Sequence, residues 1–138
     1  MTGKYRHSID AKGRLAVPAK LREELGDTFY VTIGLSHTLM ILPAEGWEQL
    51  EQQKKLLPLA DAQKLRFLFA NAVHCEPDKQ GRILLPVELR RYAGLQDNAV
   101  LIGVGDKAEI WDAGRYDELE QSFLQSDELD TILSTLAI

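Results

Sequence analysis

Asp10-Ala-Lys-Gly13-Arg14-Leu-Ala-Val-Pro18-Ala-Lys-Leu21-Arg22 is answered 68 residues later by Asp78-Lys-Gln-Gly81-Arg82-Ile-Leu-Leu-Pro86-Val-Glu-Leu89-Arg90. Asp, Gly, Arg, Pro, Leu and Arg stay in step, while Leu15/Ile83 and Val17/Leu85 exchange one apolar side chain for another. A fixed offset held over this length marks a duplicated structural unit. Gly26 and Gly94 extend it. After one inserted residue, Val31-Thr-Ile33-Gly34 runs beside Val100-Leu-Ile102-Gly103, Ile41 beside Ile110 and Trp47 beside Tyr116.

Local chemistry gives each copy the same plan. Residues 5–9 alternate polar and apolar side chains as a strand does, residues 10–13 are turn chemistry, and residues 14–17 form a second strand. A hairpin with Arg14 just past its tip is expected. Pro18 suits the first position of a short helix, and Gly26 can end that helix in a left-handed conformation. Strands follow at 29–33 and 39–42, repeated at 100–102 and 108–111. A longer helix comes next in each copy: Trp47, Leu50, Lys54 and Leu57 have helical spacing, and Asp112 is placed to cap a helix carrying Tyr116, Leu119 and Phe123. Between the copies, residues 60–72 read as one apolar-crowded helix bracketed by Pro58 and Pro77. At the end of the chain Leu129, Ile132, Leu133 and Leu136 share one face, which suits packing on a neighbouring subunit.

Composition narrows the class. With 138 residues and 45% hydrophobic content, the copies should share a core, because units this short bury too little alone. The single Cys75 permits no internal disulfide and fits a reducing cytoplasm. No apolar run reaches the ~20 residues of a membrane span. The net charge is −5, awkward for a phosphate-binding protein, but it is unevenly spread. Residues 1–22 hold six cations against Asp10 alone, a balance of +5; residues 106–138 hold nine carboxylates against Lys107 and Arg115, a balance of −7. The expectation is a basic amino-terminal face with the acidic helix and tail turned away from it.

Arg14 and Arg82 are the leading candidates for a binding role. A guanidinium can grip a phosphate or the O6/N7 edge of guanine through two parallel hydrogen bonds, and a hairpin tip can carry it into the major groove. Asp10 and Asp78 can cap loop N–H groups and hold each arginine in one rotamer, and Gly13 and Gly81 can supply the positive φ of the turn. The competing reading is that each Asp-Arg pair only ties off its own hairpin. Lys4, Arg6 and Lys12 are candidate phosphate contacts of the first copy. The second copy has Lys79 and Arg82 near its tip, opposed by Glu76 and Asp78, so the two faces should bind unequally. Catalysis is not indicated: there is no Gly-rich phosphate loop, no nucleophile elbow and no metal spacing among His7, His37 and His74. An acid/base dyad of Asp10 and Asp78 fails because each has its own arginine. No metal, cofactor or small-molecule substrate is expected.

The Asp-x-x-x-Arg pairs, the Gly13-to-Arg22 run and the opening Gly3-Lys-Tyr5-Arg-His7-Ser-Ile9-Asp10 resemble the MraZ family of bacterial transcriptional regulators, which carry two AbrB-like units in one chain. The resemblance implies a mixed α+β, mainly β fold: two AbrB-like repeats interlocked as a pseudo-two-fold swapped-hairpin β-barrel with flanking helices. It divides the chain into repeat 1 (5–47), connecting helices (48–75), repeat 2 (76–119) and an acidic, amphipathic end (120–138). It further implies double-stranded DNA as partner, bound at promoter-proximal direct repeats by a ring-shaped homo-oligomer in the cytoplasm and nucleoid, and repression of the division and cell-wall gene cluster. The alternative is an oligomeric protein-interaction scaffold whose DNA affinity is incidental.

Overall fold

A computed structural model describes residues 1–138. In chain order the elements are β1 (Lys4–Ser8), β2 (Arg14–Ala16), α1 (Ala19–Leu25), β3 (Phe29–Ile33), β4 (Leu39–Pro43), α2 (Ala44–Lys54), α3 (Leu59–Lys64), α4 (Arg66–Ala70), β5 (Val73–Cys75), β6 (Arg82–Leu84), α5 (Val87–Tyr92), β7 (Asn98–Gly103), β8 (Ala108–Asp112), α6 (Ala113–Leu124) and α7 (Glu128–Leu133). Six strands form one antiparallel sheet in the order β1-β7-β8-β4-β3-β5, and β2 pairs with β6 in a separate two-stranded ribbon.

This order is the interlock that the family resemblance implies. The first strand of each copy leaves its own half to pair in the other: β1 lies on β7, and β5 lies on β3. β1 and β2 therefore part where a simple hairpin would pair them. Only the Ile9–Leu15 bridge and the turn join them, because each finds a longer ladder in the opposite copy. The large sheet is not closed by hydrogen bonds, and β1 and β5 are its edges.

A pseudo-two-fold axis follows from the registers. In the ribbon, Leu15 pairs with its own repeat equivalent Ile83, flanked by Arg14–Leu84 and Ala16–Arg82. In the sheet, Met40 pairs with its equivalent Glu109. The ladders also correct the alignment of β3 with β7. Tyr5 lies opposite Leu101 while its equivalent Val73 lies opposite Val31, so Val31 corresponds to Leu101, one position beyond the Val31–Val100 match in sequence. The shared Val-x-Ile-Gly is out of register because side chains alternate faces along a strand. Val31 and Leu101 belong to the central core, whereas Val100 is buried outside it.

Both motif copies feed that core. Leu15, Val17, Leu21 and Leu25 meet Ile83, Leu85, Leu89 and Ala93 above the sheet residues Phe29, Val31, Leu39, Ile41, Leu101 and Ile110. α2 and α6 cover the sheet elsewhere, with Trp47 stacked on Tyr30 at 4.4 Å and Trp111 edge-on to Tyr116 at 5.6 Å. Asp112 caps α6 as expected, accepting the Arg115 N–H at 3.1 Å. Pro18 stands one residue ahead of α1, and Gly26 ends that helix with φ +92°.

The connecting segment differs from the single helix expected over 60–72. It breaks at Leu65 (ψ −11°) into α3 and α4. The break lets the Thr32 hydroxyl donate to the Leu68 carbonyl at 2.6 Å and brings Phe69 edge-on to Trp47 at 5.2 Å, contacts that outweigh a few helical hydrogen bonds. Exposed apolar side chains include Leu56, Leu59 and Phe67 around α3 and α4, and Ile132 in α7 with Leu136 just past its end.

Candidate nucleic-acid interface

Each turn is built around its aspartate. Asp10 Oδ1 accepts the backbone N–H groups of Lys12 and Arg14, both at 2.9 Å, and Oδ2 accepts Arg14 Nε at 2.7 Å. Asp78 repeats this with the N–H groups of Gln80 and Arg82, both at 2.9 Å, and Arg82 Nε at 3.0 Å. Gly13 and Gly81 close the turns with N–H bonds to the Asp10 and Asp78 carbonyls at 2.9 Å, at φ +86° and +78°, where an L side chain is strained. Because Nε is the nitrogen held by the carboxylate, the Nη groups of both arginines remain for a ligand edge. Tying off the turn and presenting the arginine are thus one arrangement.

The ribbon sets the two arginines relative to each other. Leu15 and Ile83 point into the core, so the alternate residues Arg14, Ala16, Arg82 and Leu84 share the opposite face. Arg14 and Arg82 are diagonal neighbours across this ribbon, about 7–8 Å apart at the backbone. Lys12 and Lys79 stand exposed on the two turns.

Three N–H donors at one carboxyl favour its charged form. The Arg14 backbone N–H, then the Arg14 guanidinium and the Lys12 N–H, lower Asp10 to about 2, and the matching donors lower Asp78 in the same direction. A depressed carboxyl stabilises its turn above its unfolded value, near 4, and that contribution is lost as pH falls through the folded value. The Asp10 carboxyl carbon is therefore expected to titrate near pH 2, with the first turn loosening between about pH 4 and pH 2. A midpoint near 4 by NMR would show that the cap is open in solution.

The charge reading put the acidic helix away from the basic strand; the structure lays it alongside. Lys4 Nζ meets Glu120 Oε1 at 2.8 Å, and the Arg6 guanidinium grips Asp117 with bonds of 2.6 and 3.1 Å. Opposite charges attract, and α6 follows β7 and β8 onto the sheet end where β1 is the edge. Lys4 and Arg6 are therefore already engaged, and a phosphate reaching them displaces a carboxylate.

Two further arginines bear on the turns. Arg22 Nε donates to the Val17 carbonyl at 2.8 Å, and Arg90 Nε donates to the Leu85 carbonyl at 3.0 Å. Their signal was present in the repeat, where both keep step with Gly13 and Gly81, but helix position alone did not connect them to the turns.

A family model described as "MraZ protein, putative antitoxin-like" matches residues 1–68 and again 68–136, so the duplicated unit and the family unit coincide along the chain. The chain belongs to the MraZ family. Among its relatives, proteins named transcriptional regulator MraZ are 49% identical over 119 residues in Moorella thermoacetica, covering 84% of this chain and 83% of the relative, and 48% identical over 133 residues in Desulforamulus reducens, covering 91% and 94%. The MraZ of Halothermothrix orenii is 41% identical across 99% of this chain and 98% of its own. No helix here is long and apolar enough to cross a membrane.

Proposed function

We propose that this MraZ chain is a DNA-binding transcription regulator that docks the β2–β6 ribbon in the major groove. The observation that carries the reading is the outward face of that ribbon, where two guanidiniums are held in fixed rotamers with their Nη groups free. A two-stranded ribbon fits the major groove of B-DNA, and bidentate arginine contacts to guanine are the commonest specific contacts there. The names of the relatives support the same reading. Arg14 and Arg82 read bases, with Arg14 contributing more because the second copy places the carboxylate of Glu76 near its turn where the first has Ser8. Lys12 and Lys79, and Lys4 and Arg6 once released from α6, contact phosphates.

In its finer form the proposal is a cytoplasmic, nucleoid-associated repressor of the division and cell-wall genes. It binds direct repeats near the promoter as a ring-shaped homo-oligomer, with one weak contact per subunit multiplied by avidity. The uncovered faces at α3 and α7 support self-association. Light scattering is expected to show an assembly several times the 15.5 kDa chain, and a stable monomer at micromolar concentration would remove the avidity mechanism.

The acidic, apolar α6–α7 surface favours a second reading, a protein-interaction scaffold with incidental DNA affinity. A salt titration on the chain's own upstream DNA separates the two. Each phosphate contact adds about −0.9 to the slope of log K against log salt, so the regulator should show a steep slope and a footprint on repeats. Binding without salt dependence or footprint would favour the scaffold.

A further inference from the structure

We propose that Arg90 and Arg22 are crossed positioning residues: each fixes the arginine-bearing turn of the opposite repeat, Arg90 that of Arg14 and Arg22 that of Arg82. The inference rests on the ribbon being the DNA-binding face, but its geometry stands apart from any ligand.

A Cβ built on Gly13 would lie 2.9 Å from both Cζ and Nε of Arg90, which comes from α5 in the second copy. A Cβ on Gly81 would lie 3.0 Å from Cζ, Nε and Nη2 of Arg22, which comes from α1 in the first. Each guanidinium thus lies against the turn glycine of the other half, in space any larger residue would fill. The backbone is crossed in the same sense. The Leu85 N–H donates to the Gly13 carbonyl, and the Val17 N–H donates to the Gly81 carbonyl, both at 2.9 Å. Arg90 completes the first clamp by donating Nε to the Leu85 carbonyl, and Arg22 completes the second at Val17. One residue, Leu85 for the first turn and Val17 for the second, thus binds the opposite turn through its N–H and the arginine of its own half through its C=O.

A guanidinium suits this place for a reason an ammonium does not. It is planar, so it can lie flat against the glycine peptide while its Nε forms the carbonyl bond; a lysine amine is a compact charge on a flexible stem. Gly13 and Gly81 therefore do two things: they take a positive φ, and they leave room for an arginine from the other copy. Because the turn holds the rotamer of Arg14 through Asp10, loosening it blurs the position of the Nη groups that read the ligand.

Amide hydrogen exchange on the full-length protein, without DNA, tests the crossing directly. Arg90→Ala should speed exchange at Lys12, Gly13 and Arg14 about tenfold, the scale of losing one hydrogen bond, and leave Gln80, Gly81 and Arg82 unchanged. Arg22→Ala should do the reverse. Faster exchange in the arginine's own half, or in neither turn, would overturn the proposal. If an alanine variant fails to fold, Arg90→Lys and Arg22→Lys keep the stem and charge and should still loosen the opposite turn; unchanged exchange there would also refute it. Gel-shift cycles then connect position to binding. Arg90→Ala added to Arg14→Lys, which keeps the charge and loses the fork, should cost little more than Arg14→Lys alone, whereas Arg90→Ala and Arg82→Ala should be additive. Additivity with Arg14→Lys would mean that Arg90 contacts DNA itself and would overturn the positioning role. Wild-type protein that binds no DNA would defeat the regulator reading and leave the exchange result standing.

Discussion

Arg14→Ala should abolish specific DNA binding in a gel-shift titration while circular dichroism and light scattering remain those of the unaltered protein. The side chain reaches outward from the ribbon, and its Nε bond to Asp10 is half-exposed, so the fold loses little when it is removed. The backbone N–H bonds from Lys12 and Arg14 to Asp10 persist, and the turn keeps its shape. What should disappear is the proposed bidentate contact, worth ~1–3 kcal/mol against the wrong base, and the proposed oligomer would repeat that loss at every engaged subunit. Arg82→Ala should weaken binding less. Equal losses would show that the two turns contribute alike, and an unfolded Arg14→Ala protein would show that the arginine serves the turn alone.

Deleting residues 126–138 should lower apparent DNA affinity by ~10²–10⁴, the cost of losing simultaneous contacts, while each subunit remains folded. No residue of α7 is buried within the chain, so the core loses nothing. The deletion also removes Asp127, Glu128 and Asp130 with no cation, moving the formal charge from −5 to −2. That change favours phosphate, but distant surface charge is screened beyond about 8–10 Å at ordinary salt, so the loss of assembly should prevail. A truncated protein that stays oligomeric and binds its repeats as tightly as the full chain would assign α7 no part in assembly.

Much of this fold was legible because the repeat is strict where geometry is strict. Asp10 and Asp78 must accept the same backbone N–H groups, and Gly13 and Gly81 must take the same positive φ, so both copies keep those residue types. Strand and helix limits fell close to expectation wherever apolar alternation or a cap marked them. Partner choice was legible only through the family resemblance, not in the local pattern. Nothing local in residues 4–8 says that they pair with 98–102 in preference to the strand just past the turn. The β3–β7 offset was hidden by a coincidence of residue type that only the ladders expose. The position of α6 was misjudged because net charge over a segment does not say which cation each carboxylate will meet; Asp117 and Glu120 found Arg6 and Lys4. Arg22 and Arg90 were visible as repeated residues, but their contact lies across the pseudo-two-fold axis and outside any local pattern.

The exchange of strands between the halves also governs how the chain is made. β1 has no partner until residues 98–102 exist, and β2 none until residues 82–84 exist. A nascent chain released only through β4 would carry two strands whose backbone groups lack their ladders, with Leu15 and Val17 deprived of Ile83 and Leu85. The pairings are distant in sequence, and loop closure must precede their reward, so folding belongs to the slower range for a chain of this size. The native ladders of β1 and β2 therefore cannot form until most of the second copy has been synthesised.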